Sequence, residues 1–523
     1  MSSVSDDDEK RFAENGEATK RENPRQDDSP FMTRRQAISR VAALAAGIVV
    51  VGAVGAGSYY YLSQKPATST SPLTIRDLAI GGARFETAIK GTATAYKTTT
   101  WRGETHPEVD VTVETGDVSN ILFTKTPALL LSNSTDFEVL GTAVSNWSAQ
   151  FGITGEVLDL TDLAKDSQVG VDDIPDFGAN WLAYQAKDAK TGKIIQAGMP
   201  TDANATLSYW RVDILKEHGF TSVGGDSENS GLSTFDDVAA AAAATHNPPT
   251  NYGILEEHAP YYAGRAWWSS MLCNGGNIFK CPSIGTITEI LVNENYEPAV
   301  RALTFVSTMH QKYGTPGELG WDDAGLIEGL GTEGLGVLSY SSSGNGPIQN
   351  PKISKYYNVI KTGHPPAGAL GGPQAAAALG PSELSEMFKS PWMGTALGVG
   401  HMIPVKAARQ RDTFRFMSFM MSKENMQNYI ASTGQPGRSS ALKDPQYQDA
   451  SKYPNAQHFQ ALSLVFVNMF PTGVWSLPVA FALENNVEGN NCHDVVSGTA
   501  TVQQGLHKMA ADLQNVVGQY VTK

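Results

Sequence analysis

The stretch LTIRDLAIGGARFETAIKGTATAY, residues 73–96, changes its hydrophobic pattern at a glycine pair. Residues 73–80 read as a strand, Gly81-Gly82 as a turn, and the chain to about Tyr96 as a helix. The same alternation continues outward. Residues 109–114 alternate apolar and polar like a strand, 117–131 read as helical, and 136–140 as another strand. Further on, 235–244 form an alanine-rich helix capped by Thr234 or Ser233. Residues 297–313 carry Val300, Leu303, Phe305 and Val306 near helical spacing, and 414–421 and 502–517 also look helical. Strand–helix alternation of this kind predicts an α/β fold with mostly parallel sheets flanked by helices. No repeat of fixed period is present.

The chain has 523 residues, about three domains' worth. At 41% hydrophobic and 18% charged it is a globular composition, not that of a mainly disordered chain. With 39 basic against 53 acidic side chains the net charge is −14, which argues against nonspecific nucleic-acid binding. Three cysteines exclude a disulfide scaffold and a multi-zinc protein.

Residues 1–31 are polar, include Asp6-Asp7-Asp8-Glu9, and read as a disordered charged tail. Thr33-Arg34-Arg35-Gln36-Ala37-Ile38 and Arg40 then precede an uncharged apolar run, 41–62. Segment 32–62 resembles a twin-arginine export signal, with Ala37 where bulkier residues are usual. Two outcomes stay open. The run spans the membrane as an anchor, with Tyr59-Tyr60-Tyr61 at the outer interface. Alternatively a peptidase cuts near Ala56-Gly57-Ser58. The long preceding tail favours the anchor or a start at Met32. Both outcomes place the body, from about residue 66, outside the cytoplasm, behind a Ser/Thr/Pro linker at 63–72. Asn133, Asn146 and Asn204 then head formal glycan-acceptor triplets.

Catalytic signatures are missing: there is no Gly-x-Ser-x-Gly elbow, no P-loop and no His-Glu-x-x-His, and the ten histidines are scattered singly. Gly329-Leu-Gly331-Thr-Glu-Gly334 spells a dinucleotide fingerprint, but it follows a helix and precedes a strand, the reverse of the required order. The acid pairs Asp172-Asp173, Asp236-Asp237 and Asp322-Asp323 read as helix starts or turns rather than acid/base pairs. No metal, cofactor or enzymatic activity is therefore expected. Cys273 and Cys281 flank Asn274-Gly275-Gly276, and in an oxidising compartment a bridge between them is expected, bracing the loop by about 2–3 kcal/mol. The alternative is two reduced, buried thiols.

From residue 70 onward several phrases occur in one order. Residues 73–82 are followed by Asp136-Phe137-Glu138-Val139 with Asn146-Trp147, and then by Val157-Leu-Asp159-Leu160-Thr161-Asp162-Leu163. Next come Met199-Pro200-Thr201-Asp202 through Leu207-Ser208-Tyr209-Trp210, and Ser233-Thr234-Phe235-Asp236-Asp237. Trp267-Trp268 to Asn274-Gly275-Gly276 and Ser422-Lys423-Glu424-Asn425 to Thr433-Gly434-Gln435-Pro436 complete the set. Together they resemble extracellular solute-binding proteins of ABC importers, in the family of maltose- and other sugar-binding proteins. Trp210 departs from the family's usual Tyr-Asn.

The resemblance implies two α/β lobes, a hinge and a ligand cleft between them, closing on the ligand and presenting it to a membrane permease. It divides the chain into lobe 1 at 73–196 and 364–432, and lobe 2 at 197–363 and 433–523. By position, Trp475, Tyr209 and Trp147 match aromatics of the sugar cleft, where rings stack on pyranose faces; Trp267, before the Gly-Gly turn, lines the cleft or packs beneath it, and Trp392 falls near the second hinge. Tyr340 and Ser342 fall in a matching cleft loop, and Gly82 could offer its backbone N–H. The implied ligand is a carbohydrate, the implied partners an ABC permease and the membrane, and the implied state a monomer. Two other readings stay open: a secreted polysaccharide-active enzyme, which needs facing carboxylates, and a sugar receptor without a permease.

Overall fold

The computed structural model describes residues 73–522 apart from 81–82, 117–119, 143–144, 221–231, 371, 382–398, 450–451, 454–455, 467–471 and 481. The export segment, Gly82 and Trp392 lie outside the described residues. Among those described, no helix is long and apolar enough to cross a membrane.

The chain begins with β1 (Leu73–Ile80), α1 (Ala83–Thr98), β2 (Val109–Gly116), β3 (Val139–Thr142) and α2 (Ser145–Thr154). It continues through β4 (Met199–Asp202), β5 (Thr206–Arg211), α3 (Phe235–Thr245), β6 (Tyr252–Ile254), α4 (Pro260–Cys273) and α5 (Glu297–Tyr313). There follow β7 (Gly336–Ser342), β8 (Ile360–Gly363), β9 (Val399–Met402), α6 (Gln410–Met420), α7 (Lys423–Ala431), α8 (Ala456–Phe466) and α9 (Val502–Val517).

Nine of these strands make two sheets, ordered β2-β1-β3-β9-β4 and β8-β5-β7-β6. β1 pairs in parallel with β2 and β3, whereas β9 runs against β3 and β4. In the second sheet β7 and β6 are parallel, and β5 runs against both β7 and β8. The sheets are mostly parallel, as expected, with one reversed strand each. The cause is the crossover. β5 and β9 are the strands by which the chain enters each sheet from the other. Each starts at the carboxyl edge of its neighbours: Thr206 pairs with Ser342, and Gly400 with Thr142. A strand entering at that edge has to run away from it.

Only Ala203-Asn204-Ala205, all buried, separate β4 in the first sheet from β5 in the second. The first crossover therefore follows Asp202, and the carboxyl edges of the two sheets meet there. Each sheet has its own core. Ile75, Ala88, Ile89, Tyr96, Phe414 and Phe419 pack α1 and α6 on the first. Trp210, Val238, Ala241, Ile254, Met309 and Leu338 pack α3 and α5 on the second.

Local signals explain several helix ends. Thr234 caps α3 in a reciprocal pair with Asp237, and Thr501 and Gln504 do the same for α9. Asp322 accepts from the Ala324 and Gly325 N–H groups at the next helix start. Gly334, at φ +72, ends the helical turn before β7, which confirms the reversed order of the Gly-x-Gly-x-x-Gly phrase.

The expected disulfide is corrected. Cys273, Cys281 and Cys492 are all buried, unbridged thiols. Cys273 ends α4 with its Sγ 3.5 Å from the Tyr340 hydroxyl, while Cys281 turns its Sγ to the Ser283 carbonyl at 3.2 Å. The turn between them aims the two side chains at different neighbours.

Candidate ligand-binding site

In open α/β sheets, ligands bind beyond the carboxyl ends of the strands. Here two such edges face each other, and the side chains there differ in kind. On the first sheet, Leu78 of β1, Phe85 of α1, Leu140 of β3 and Trp147 of α2 are buried with Val399 and Met402 of β9. Tyr261 and Tyr262, from the first turn of α4 on the second sheet, join the same apolar cluster. Pro260 at the helix start presets that turn. One hydrogen bond also joins the two sides: Trp147 Nε1 donates to Glu484 Oε2 at 2.8 Å. Glu484 belongs to Ala482–Gly489, which packs on α4.

The second sheet contributes charge. Beyond β6 the chain continues outside any strand or helix through Glu256-Glu257-His258. Glu257 accepts a short hydrogen bond from Ser341 Oγ and lies 3.1 Å from Arg265 Nη2. The Arg265 guanidinium rests 4.5 Å from the Tyr262 ring centre and 3.6 Å from Asp323 Oδ1. Tyr262 closes the circuit by donating to Asp323 Oδ2 at 3.2 Å. Burial raises the Asp323 carboxyl despite the pull of the guanidinium. Ser342 Oγ donates to Asn204 Oδ1 in the crossover at 2.8 Å and accepts from the Gly344 N–H. Carboxylates, a guanidinium and hydroxyls fixed by one another form a polar surface suited to a ligand rich in hydrogen-bonding groups.

The sequence-predicted residues fall into two groups. Trp147 and Ser342 lie at the facing edges. Tyr209, Tyr340 and Trp267 are set back in the second sheet's packing, and Trp475 sits where a turn meets the first sheet's side. Tyr209, fully buried in β5, stacks on His458 and donates to the Ser342 carbonyl at 2.9 Å. Tyr340 points from the opposite face of the sheet, edge-on to Phe235. Trp267 donates to the Ala299 carbonyl at 3.1 Å, tying α4 to α5. Trp475 packs against Trp268 and edge-on to Phe279, with ring centres 5.1 and 4.9 Å away. Its turn, Thr472–Trp475, packs on α2 of the first sheet.

Sequence reasoning missed Glu257, Tyr262, Arg265, Asp323 and Glu484. An acidic pair at the end of a short apolar strand was the available signal for Glu257. The reading of Asp322-Asp323 as a helix start or turn holds for Asp322, while the partly exposed Asp323 reaches Tyr262 and Arg265.

Among known proteins, a family profile described as bacterial extracellular solute-binding protein matches residues 94–455. No curated protein sequence matches the chain. Among solved structures, an ABC transporter solute-binding protein from Agrobacterium radiobacter K84 in complex with ribitol is similar, at TM-score 0.66 and 17% identity, covering 85% of this chain and 99% of that one. Maltose-bound MalE3 of T. maritima follows at TM-score 0.63 and 14% identity, covering 85% of this chain and 99% of its own. The GacH receptor of Streptomyces glaucescens, solved unliganded and with acarbose, has TM-score 0.61 and 14% identity, with 86% and 100% covered. These likenesses establish the two-lobe α/β fold. The match over most of the chain, on a fold whose strand ends face one another, makes this protein a member of the bacterial extracellular solute-binding protein family.

Proposed function

We propose that the protein captures a carbohydrate between its lobes and delivers it to the permease of an ABC importer, without chemical turnover. The reading rests on the Glu257–Arg265–Asp323–Tyr262 circuit facing the Trp147 edge. Fixed planar charges suit the paired hydroxyls of a sugar, and an aromatic edge suits its C–H faces. The similar structures with ribitol, maltose and acarbose support the ligand class. In this proposal Trp147 and Ser342 border the ligand, while Tyr209, Tyr340, Trp267 and Trp475 hold the surrounding walls. Gly82 and Trp392 remain proposed contacts.

The protein works outside the cytoplasm, held by segment 32–62, as a monomer. An Arg34→Lys/Arg35→Lys variant is expected to stay in the cytoplasm; normal export of it would remove the twin-arginine route from the proposal.

A thermal-shift panel of sugars, polyols, peptides and anions tests the ligand class. A sugar bound near micromolar affinity, about −8 kcal/mol, stabilises the fold by about 2.7 kcal/mol at a hundredfold excess. It is recovered unchanged afterwards. A shift with a peptide or an anion and none with sugars or polyols would overturn the carbohydrate reading.

A further inference from the structure

Glu256 and His258 lie on a different side of this segment from Glu257, which meets Ser341 and Arg265. There they meet His310 of α5 and Glu318 of the turn Pro316–Gly320. All four are buried: His258 and Glu318 have no exposed surface, Glu256 1% and His310 8%. One donor atom each from His258, His310 and Glu318 lies within 4.8 Å of the others. Glu256 Oε2 is 3.4 Å from His258 Nε2, and His310 Nδ1 is 2.8 Å from Glu318 Oε2. The two imidazoles meet edge to face with centres 5.0 Å apart. Backbone contacts fix the frame: His258 N–H donates to the Glu318 carbonyl at 3.1 Å, and Glu256 N–H to Glu318 Oε1 at 3.3 Å.

Among the described residues, neither ring nitrogen of His258 and neither carboxylate oxygen of Glu256 has a hydrogen-bond partner. Such groups in a dry interior are strongly unfavourable unless something binds them. Two imidazoles with carboxylates are the donor set of zinc. We propose that Glu256, His258, His310 and Glu318 form a buried site for a zinc-class divalent cation. Tetrahedral coordination at about 2.0–2.2 Å sets donor atoms about 3.3–3.6 Å apart, so a contraction of about 1 Å through side-chain rotation completes the site. The ion ties the segment after β6 to α5 and to the 316–320 turn. Since Glu257 lies between two of the ligands, the ion also fixes the carboxylate that faces the ligand site.

The test uses the exported protein purified without a polyhistidine tag, loaded with zinc, desalted, and assayed by plasma mass spectrometry with no sugar present. About one zinc per chain is expected to be retained, and cobalt in its place should give the visible bands of a tetrahedral ion. His258→Ala and His310→Ala should lose the metal, Glu256→Gln should bind it about 10–100-fold more weakly, and His507→Ala should keep it, His507 being 75% exposed. Wild-type protein with neither retained zinc nor a cobalt spectrum overturns the site, whether or not the variants fold. Equal zinc in folded His258→Ala and His310→Ala variants overturns it as well. Because the readout involves no sugar, its failure is separate from that of the carbohydrate reading.

Discussion

The two facing edges are built from opposite chemistry. Toward its carboxyl edge the first sheet packs Leu78, Leu140, Phe85 and Trp147 in one apolar cluster, whereas the second presents Glu257, Arg265, Asp323 and Ser341. An apolar edge needs only shape, since its surroundings are indifferent to orientation. A charged edge has to be internally neutralised before anything arrives, and Arg265 between two carboxylates does that. Under the proposed function, the contrast would give orientation and selectivity to the second lobe and a covering surface to the first.

Removing the central cation should have the largest effect. Arg265→Ala leaves the buried Glu257 without its counter-charge and the partly exposed Asp323 without a partner, and should cost about 3 kcal/mol in urea unfolding. Adding Glu257→Gln and Asp323→Asn should recover most of that. No loss on Arg265→Ala would mean the two edges do not differ as described. Next, Trp147→Phe keeps the ring surface but deletes the donor to Glu484; denaturation should show a loss of about 1–3 kcal/mol. A loss equal to that of Arg265→Ala would erase the distinction between edges. Tyr209→Phe removes one bond to the Ser342 carbonyl behind the charged edge, worth about 0.5–1.5 kcal/mol, and should weaken sugar binding without unfolding the protein.

The smallest effect lies away from both edges. Asp166, hydrogen-bonded to Arg411, is lowered to about 2. Its unfolded value is about 3.9, so the native state favours the ionised form. That stabilisation is present above about pH 4 and is lost as pH falls through about 2. Solvent screening limits it to about 1 kcal/mol. Acid unfolding of Arg411→Ala should therefore match the parent near pH 2 and diverge above pH 4.

What was legible in the sequence was local. The span of 297–313, the span of 502–517 and the Thr234 cap follow from helical spacing and from side-chain-to-backbone bonds within a few residues. Family phrases carried the two-lobe fold. The reversed strands were not legible, because direction depends on which edge of a sheet the chain enters, and periodicity carries no direction. The charged circuit was hidden for a related reason: Glu257, Arg265 and Asp323 come from a strand end, a helix and a later turn. Single tryptophans drew attention as ring platforms, yet Trp267 and Trp475 are held by helix–helix and ring–ring packing. Cys273 and Cys281 show the same limit, since sequence separation fixes loop length but not where the thiols point.

The hydrogen bond from Trp147 to Glu484 has an optical consequence. An indole shielded from water and bonded to a carboxylate emits differently from one facing solvent. Parting of the lobes breaks that bond and wets the ring, so the protein carries a native fluorophore at the seam where it opens. The difference in emission between the parent and Trp147→Phe isolates this signal from the other eight of its nine tryptophans. Stopped-flow emission at that difference would time opening and closing directly, with no attached dye.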